Sequence, residues 1–125
     1  MLPRSVLLVD DNCDDVFLTS RVLRKIGITE IRIASDGQEA LDILLNSAEP
    51  LPELLILDLR MPKISGQQVL AEIRRARRTI ALPVLALSSS DDPRDRDICL
   101  QYGVIGFLNK PLELPLFTAL FEPGR

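Results

Sequence analysis

The sequence predicts an α/β protein: five strand-helix units, (βα)5, doubly wound around one parallel five-stranded sheet. Three observations carry this. Short apolar runs recur along the chain, each followed by polar turn residues and then by a segment whose apolar residues have helical spacing. The runs Val6-Leu7-Leu8-Val9, Leu54-Leu55-Ile56-Leu57 and Pro83-Val84-Leu85-Ala86-Leu87 are apolar throughout, as in strands buried on both faces. Four of the five runs also end in a chemically capable residue, at the edge where open α/β sheets place their ligands.

Taken in order, Val6 to Val9 form the first strand and end in Asp10-Asp11. Asn12-Cys13-Asp14 then suit the cap of a helix from Asp15 to Ile26, with Leu18, Val22 and Ile26 on one stripe, Val16 and Leu23 beside them, and Gly27 as the stop. Ile31 to Ala34 alternate, so a more exposed strand near a sheet edge is expected. Ser35-Asp36-Gly37 turn into a helix from Gln38 to Asn46, lined inward by Ala40, Leu41, Leu44 and Leu45. A loop from Ser47 to Glu53 leads to the central strand, Leu54 to Leu57, which runs into Asp58. Ser65-Gly66 open a third helix with Val69, Leu70 and Ile73 inward. The fourth strand, Pro83 to Leu87, closes in Ser88-Ser89-Ser90, and Asp91-Asp92-Pro93 start a fourth helix, since proline is tolerated in a first turn. Val104 to Leu108 make the fifth strand, before Asn109-Lys110-Pro111, and a short helix between Leu112 and Phe121 stops at Pro123-Gly124. With no linker, repeat or low-complexity segment, residues 1–125 read as one domain.

Composition excludes several classes of function. At 125 residues, with 46% hydrophobic and 26% charged, the chain can bury its own core. A net charge of −3 gives no general attraction to nucleic acid or anionic membranes, and 4% aromatics leaves few stacking platforms for single strands. No apolar run is long enough to cross a membrane and Met1-Leu2-Pro3-Arg4 lacks a signal peptide's apolar segment, so a cytoplasmic protein is expected. Histidine is absent, which removes Ser-His and Cys-His nucleophile pairs and histidine-ligated metals; a bound metal would be held by oxygen. Cys13 and Cys99 have no metal spacing and read as free thiols.

The strand ends converge on one chemistry. In a doubly wound sheet the first and third strands are neighbours at the switch point, which brings Asp11 and Asp58 together beside Asp10. Carboxylates this close repel and call for a cation, and one or two carboxylates plus water suit Mg2+. Lys110 adds a fixed positive charge, and a lysine in a chain with twelve arginines and only three lysines fits a point charge beside phosphate. The group suits phosphoryl transfer onto a carboxylate: Asp58 as nucleophile, metal and lysine neutralising the transferring oxygens, and Ser88 donating to one of them.

Five ordered features, Asp10-Asp11, Asp58 with Met61-Pro62 and Gly66, Ser88, and Lys110-Pro111, together make the chain resemble the receiver domain of a two-component response regulator over essentially its whole length. Asp11-Asn12-Cys13-Asp14-Asp15-Val16 and Leu87-Ser88-Ser89-Ser90 are similar to the small regulators paired with phytochrome-type kinases. The resemblance implies a flavodoxin-like sheet of order 2-1-3-4-5 and a switch that catalyses its own phosphorylation and dephosphorylation rather than a turnover enzyme. A sensor histidine kinase would supply the phosphoryl group to Asp58. Asp11, Asp58 and the backbone carbonyl of Arg60 would ligate Mg2+, with Asp10 acting through water. Lys110 would pair with a phosphoryl oxygen, Ser88 and Phe107 would form the switch, and the Lys110-Pro111 bond would be cis. The face of the fourth helix, fifth strand and fifth helix would carry the signal to a protein target or a homodimer, although the short last helix departs from the family pattern. No direct contact with nucleic acid or membrane is implied.

Blander readings stand beside these. Asp10 or Asp11 would cap a helix in another context, but Asn12 or Asp14 can do that here. Phe107 suits plain core, and the cluster Arg74, Arg75, Arg77 and Arg78 suits the negative end of a helix dipole better than a nucleic-acid patch. Cys13 lacks a basic neighbour in sequence and reads as an ordinary thiol. Two rivals use the same architecture. A magnesium phosphatase with an aspartyl nucleophile needs a second acid near it, and Leu59 and Arg60 follow Asp58 instead. A flavodoxin-like cofactor binder needs a phosphate-cradling loop where Asp10-Asp11 stand. Arg60 is the other departure from the family pattern; it occupies a position whose side chain can overhang a phosphoryl group on Asp58, and an effect on how readily water hydrolyses that group is expected.

Overall fold

The computed structural model describes residues 2–46, 48–89 and 92–122. The turn role of Ser90, the helix start at Asp91 and the stop at Pro123-Gly124 lie outside the described residues. The chain alternates β1 (Ser5–Val9), α1 (Cys13–Lys25), β2 (Glu30–Ala34), α2 (Gly37–Leu41), β3 (Leu54–Asp58), α3 (Gly66–Arg75), β4 (Val84–Ser88), α4 (Pro93–Gln101), β5 (Gly106–Asn109) and α5 (Leu114–Ala119). A π-helical turn, Asp42–Asn46, extends α2. Every strand pair is parallel and the order is β2-β1-β3-β4-β5, as expected.

The pleat divides the apolar strands between two cores. Leu7, Val9, Leu55, Leu57, Val84 and Ala86 pack with residues of α2, α3 and α4, among them Leu41, Leu70, Ile73 and Cys99. Val6, Leu8, Leu54, Ile56, Leu85 and Leu87 point to the other side, against Leu23 of α1 and Phe117 of α5. Because β3 and β4 are buried along their whole length, they read as unbroken apolar runs. Burying one such leucine contributes roughly 1.5–3 kcal/mol, so β3 is firmly held where it delivers Asp58. The edge strand β2 is mostly exposed and ends in buried Ala34.

Helix ends follow local chemistry. Asn12 caps α1 by accepting from the Asp15 N–H, so the helix starts at Cys13 rather than Asp15. At its other end Gly27, at φ 92°, donates to the Arg24 carbonyl while Ile28 donates to Leu23, a Schellman stop. Ser65 and Gln68 form a capping box on α3, and Pro93 opens α4 behind the Asp92 cap.

Two expectations need correcting. The buried face of α1 is Thr19, Ser20 and Leu23, with Val16, Val22 and Ile26 half-buried and Leu18 exposed. At about 100° per residue, Leu18 lies roughly 140° around the helix from Leu23, and only one of them can face the sheet. The fifth strand starts at Gly106 rather than Val104, because the Val104 N–H is taken by the Cys99 carbonyl in the stop of α4. Three of the four clustered arginines have structural partners. Arg74 donates to the carbonyls of Tyr102, Thr79, Ile80 and Leu82, Arg78 to those of Leu44 and Glu49, and Arg75 pairs with Glu72.

Candidate functional site

The parallel register sets the carboxyl ends of the strands along one edge. Asp10 follows β1, Asp58 and Ser88 are the last residues of β3 and β4, and Lys110 follows β5. Lys110 is locked to this edge by its N–H, which donates to the Ser88 carbonyl at 2.9 Å, and the Lys110-Pro111 bond is cis. Gly66 lets α3 approach the end of β3 closely. A Cβ there would stand 2.6 Å from both the Asp58 carbonyl oxygen and Leu59 Cα.

Asp58 is buried, with two distinct environments for its oxygens. Oδ1 accepts from the Arg60 N–H at 3.1 Å, and Oδ2 lies 3.2 Å from Lys110 Nζ. Burial pushes its pKa from 3.8 up to about 6, against the opposing pull of the Arg60 N–H and the Lys110 charge. Lys110 Nζ also lies 2.9 Å from Asp10 Oδ2 and 2.9 Å from Asp15 Oδ2. Burial alone would lower the ammonium's pKa; its carboxylate partners outweigh that and hold it above the ordinary lysine value.

The chemistry of the donor set fits a divalent cation. Asp10, Asp11 and Asp58 each offer a carboxylate oxygen, all within 4.8 Å of one another, two acids buried and Asp11 exposed to solvent. Asp10 Oδ1 accepts from the Asn12 N–H, whereas its buried Oδ2 faces Lys110 by charge without an aligned hydrogen bond. Three acids and one lysine leave the cluster short of positive charge, and hard carboxylate oxygens with one side open to water are ligands for such an ion.

The other expected residues lie around this pocket. Ser88 is fully buried. Phe107 is half-buried in β5, with the Arg96 guanidinium carbon 5.4 Å from its ring centroid, next to a cavity of about 190 Å³ lined by Asp92, Pro93, Arg96, Phe107 and Asn109. The Arg60 guanidinium reaches α4 in the unphosphorylated protein, where Nη2 lies 2.7 Å from Asp95 Oδ2 and 3.9 Å from Asp92 Oδ2. Sequence reasoning passed over Asp15 and Asp95. Both sit in the first turn of a helix, where an acid ordinarily means no more than a favourable dipole, so nothing in the sequence marks their partners.

Fold and pocket together define a flavodoxin-like α/β domain with an acidic, lysine-bearing edge suited to phosphate and a divalent cation. The family model of the response regulator receiver domain matches residues 6–122, and the chain belongs to that family. A probable methanogenesis regulatory protein, FilR2 of Methanothrix harundinacea, is 37% identical over 114 residues, covering 88% of this chain and 74% of the relative. Among solved structures, the bacteriophytochrome response regulator AtBRR is 34% identical with a TM-score of 0.83, over 97% of this chain and 91% of that one. The Mn2+-bound response regulator Rcp1 is 33% identical with a TM-score of 0.80, over 94% and 89%. Other curated relatives are much longer, and the chain spans 25%, 10% and 14% of three of them. The chain is thus a two-component response regulator receiver, and receiver domains work as signalling switches. Among the described residues, no helix is long and apolar enough to cross a membrane.

Proposed function

We propose that Asp58 accepts a phosphoryl group from the phosphohistidine of a sensor histidine kinase. One observation carries this: a buried carboxylate with one oxygen held by a backbone N–H and the other beside Lys110, in a cluster of three acids. The held Oδ1 fixes the carboxylate's rotation. An Asp58 oxygen bonds to phosphorus as the bond from phosphorus to the imidazole nitrogen breaks, and the electron pair returns to the imidazole. Lys110 neutralises the charge on the transferring oxygens, and the buried Ser88 hydroxyl donates to one of them. Asp11, Asp58 and the Arg60 carbonyl would hold Mg2+, with Asp10 acting through water. When bound, the ion supplies charge neutralisation on the phosphoryl oxygens. The solved relative Rcp1 is described as Mn2+-bound, and the cyanobacterial phytochrome response regulator RcpA as phosphorylated, which supports this assignment of roles.

The pocket would then hydrolyse its own aspartyl-phosphate. Ser88 and Phe107 form the switch in this reading, and the face of α4, β5 and α5, with Leu100 and Leu116 exposed, delivers the state to a target protein or a second copy in the cytoplasm. Incubation with acetyl phosphate and Mg2+ followed by intact mass tests the central claim. A phosphoryl adduct is expected on the wild type and not on Asp58→Asn; no adduct, or an equal one on the variant, would sink it.

A further inference from the structure

The arginine two residues beyond the phosphoacceptor joins two parts of the molecule. Its backbone N–H is fixed on Asp58 Oδ1 at 3.1 Å, while its guanidinium lies 2.7 Å from Asp95 on α4. Asp95 is 5% exposed, and each of its oxygens has one donor: Oδ2 takes Arg60 Nη2, and Oδ1 takes Gln67 Nε2 of α3 at 3.0 Å. A carboxylate buried to this degree depends on its cation. The cation itself is not buried: the Arg60 side chain is 52% exposed.

The consequence for α4 follows from how that helix is anchored. Of its nine residues only Asp95 and Cys99 are buried, so α4 is held to the body of the protein at few points: the Arg60 and Gln67 contacts of Asp95 near its start, Arg96 over the Phe107 ring, and Cys99 in the core. Lys110 is already surrounded by Asp10, Asp15 and Asp58. A phosphoryl group on Asp58, whose Oδ1 already holds the Arg60 N–H, adds negative charge and oxygens that match a guanidinium fork.

Resting on the assignment of Asp58 as phosphoacceptor, we propose that Asp95 is a positioning residue for the switch. With Gln67 it holds the Arg60 guanidinium off Asp58 in the resting protein, and it surrenders that guanidinium to the phosphoryl group on phosphorylation, loosening the first turns of α4. Phosphorylation is thereby reported to α4 through an exchange of ion pairs. The same exchange sets the lifetime of the phosphoryl group. In hydrolysis a water oxygen bonds to phosphorus, the bond to the Asp58 oxygen breaks, and phosphate leaves with the protons of water. A guanidinium lying over the group obstructs that approach.

The test uses acetyl phosphate and Mg2+ on wild type, Asp95→Asn, Arg60→Ala and the double variant, reading phosphoryl half-life by intact mass and amide exchange over residues 93–101. Asp95→Asn is expected to lengthen the half-life by roughly twofold or more, within the coupling seen between members of one ion-pair network. Arg60→Ala should shorten it, and adding Asp95→Asn to Arg60→Ala should change nothing further. Amide exchange in α4 should quicken on phosphorylation of the wild type, and should already be fast in unphosphorylated Asp95→Asn and Arg60→Ala. An equal effect of Asp95→Asn with and without Arg60, or α4 exchange indifferent to phosphorylation, overturns the proposal while leaving the phosphoacceptor assignment standing. Absence of any adduct on the wild type overturns both. Arg60→Ala alters a half-exposed side chain, so its α4 exchange decides the matter should Asp95→Asn fail to fold.

Discussion

Replacing Asp58 by Asn is expected to stabilise the metal-free protein, and to do so more strongly as pH rises. Asp58 is buried among acids, and its pKa is pushed from 3.8 to about 6. The folded state therefore holds this proton more tightly than the unfolded chain does. Stability associated with the group is fully present below the unfolded value and is lost as pH climbs through the folded one. Two pKa units correspond to roughly 3 kcal/mol, an upper bound that solvent screening at the open side of the pocket reduces to about 1–2 kcal/mol. Asn keeps the shape without the charge, and Lys110 retains Asp10 and Asp15, each at 2.9 Å. Urea unfolding in EDTA should show Asp58→Asn more stable than wild type by about 1–2 kcal/mol at pH 8. At pH 5.5 the advantage should be smaller by roughly 0.5–1 kcal/mol. A variant no more stable at pH 8, or one whose advantage is the same at both pH values, would refute the view of Asp58 as a buried acid kept for function at a cost in stability.

Further outcomes follow from the same geometry. Adding Mg2+ should raise the melting temperature of the wild type with a concentration dependence that reports the dissociation constant, and Asp11→Asn should need more of the ion for the same shift. Gly66→Ala, whose new Cβ would press on the Asp58 carbonyl, should destabilise by about 1–3 kcal/mol in denaturant unfolding and slow phosphorylation by acetyl phosphate. Burial, with the Asp95 charge adding to it, pushes the Cys99 thiol up to about 11, whereas Cys13 is exposed. A thiol reagent at pH 8 should therefore modify Cys13 first, as peptide mapping after graded exposure would show. Thr79→Val removes the fully buried hydroxyl that donates to the Ile73 carbonyl at 2.6 Å, and should cost roughly 1–3 kcal/mol in the same unfolding assay.

The sequence by itself determined the α/β class, the five strands, and the placement of Asp58 at the end of the central one. Strands buried on both faces must be apolar throughout, so an acid, a hydroxyl or a lysine at the end of such a run stands out. The wording of Leu54-Leu55-Ile56-Leu57-Asp58 is a direct product of that burial. Capping residues were legible for the same local reason, since Ser65, Asp92 and Gly27 satisfy backbone groups within a few residues of themselves. The phase of α1 was not, because Leu18 and Leu23 compete for one face and only the sheet decides between them. Two of the carboxylates that partner the site's cations were equally hidden. Asp15 meets Lys110 across 95 residues, and Asp95 meets Arg60 across 35. An ion pair at such separation leaves no periodicity and no local spacing; it exists only because the parallel sheet sets distant strand ends and helix starts on one edge. Tertiary structure therefore decided which way Arg60 points: not over Asp58 but toward a buried carboxylate on α4, whose charge no local signal could show to be in need of it.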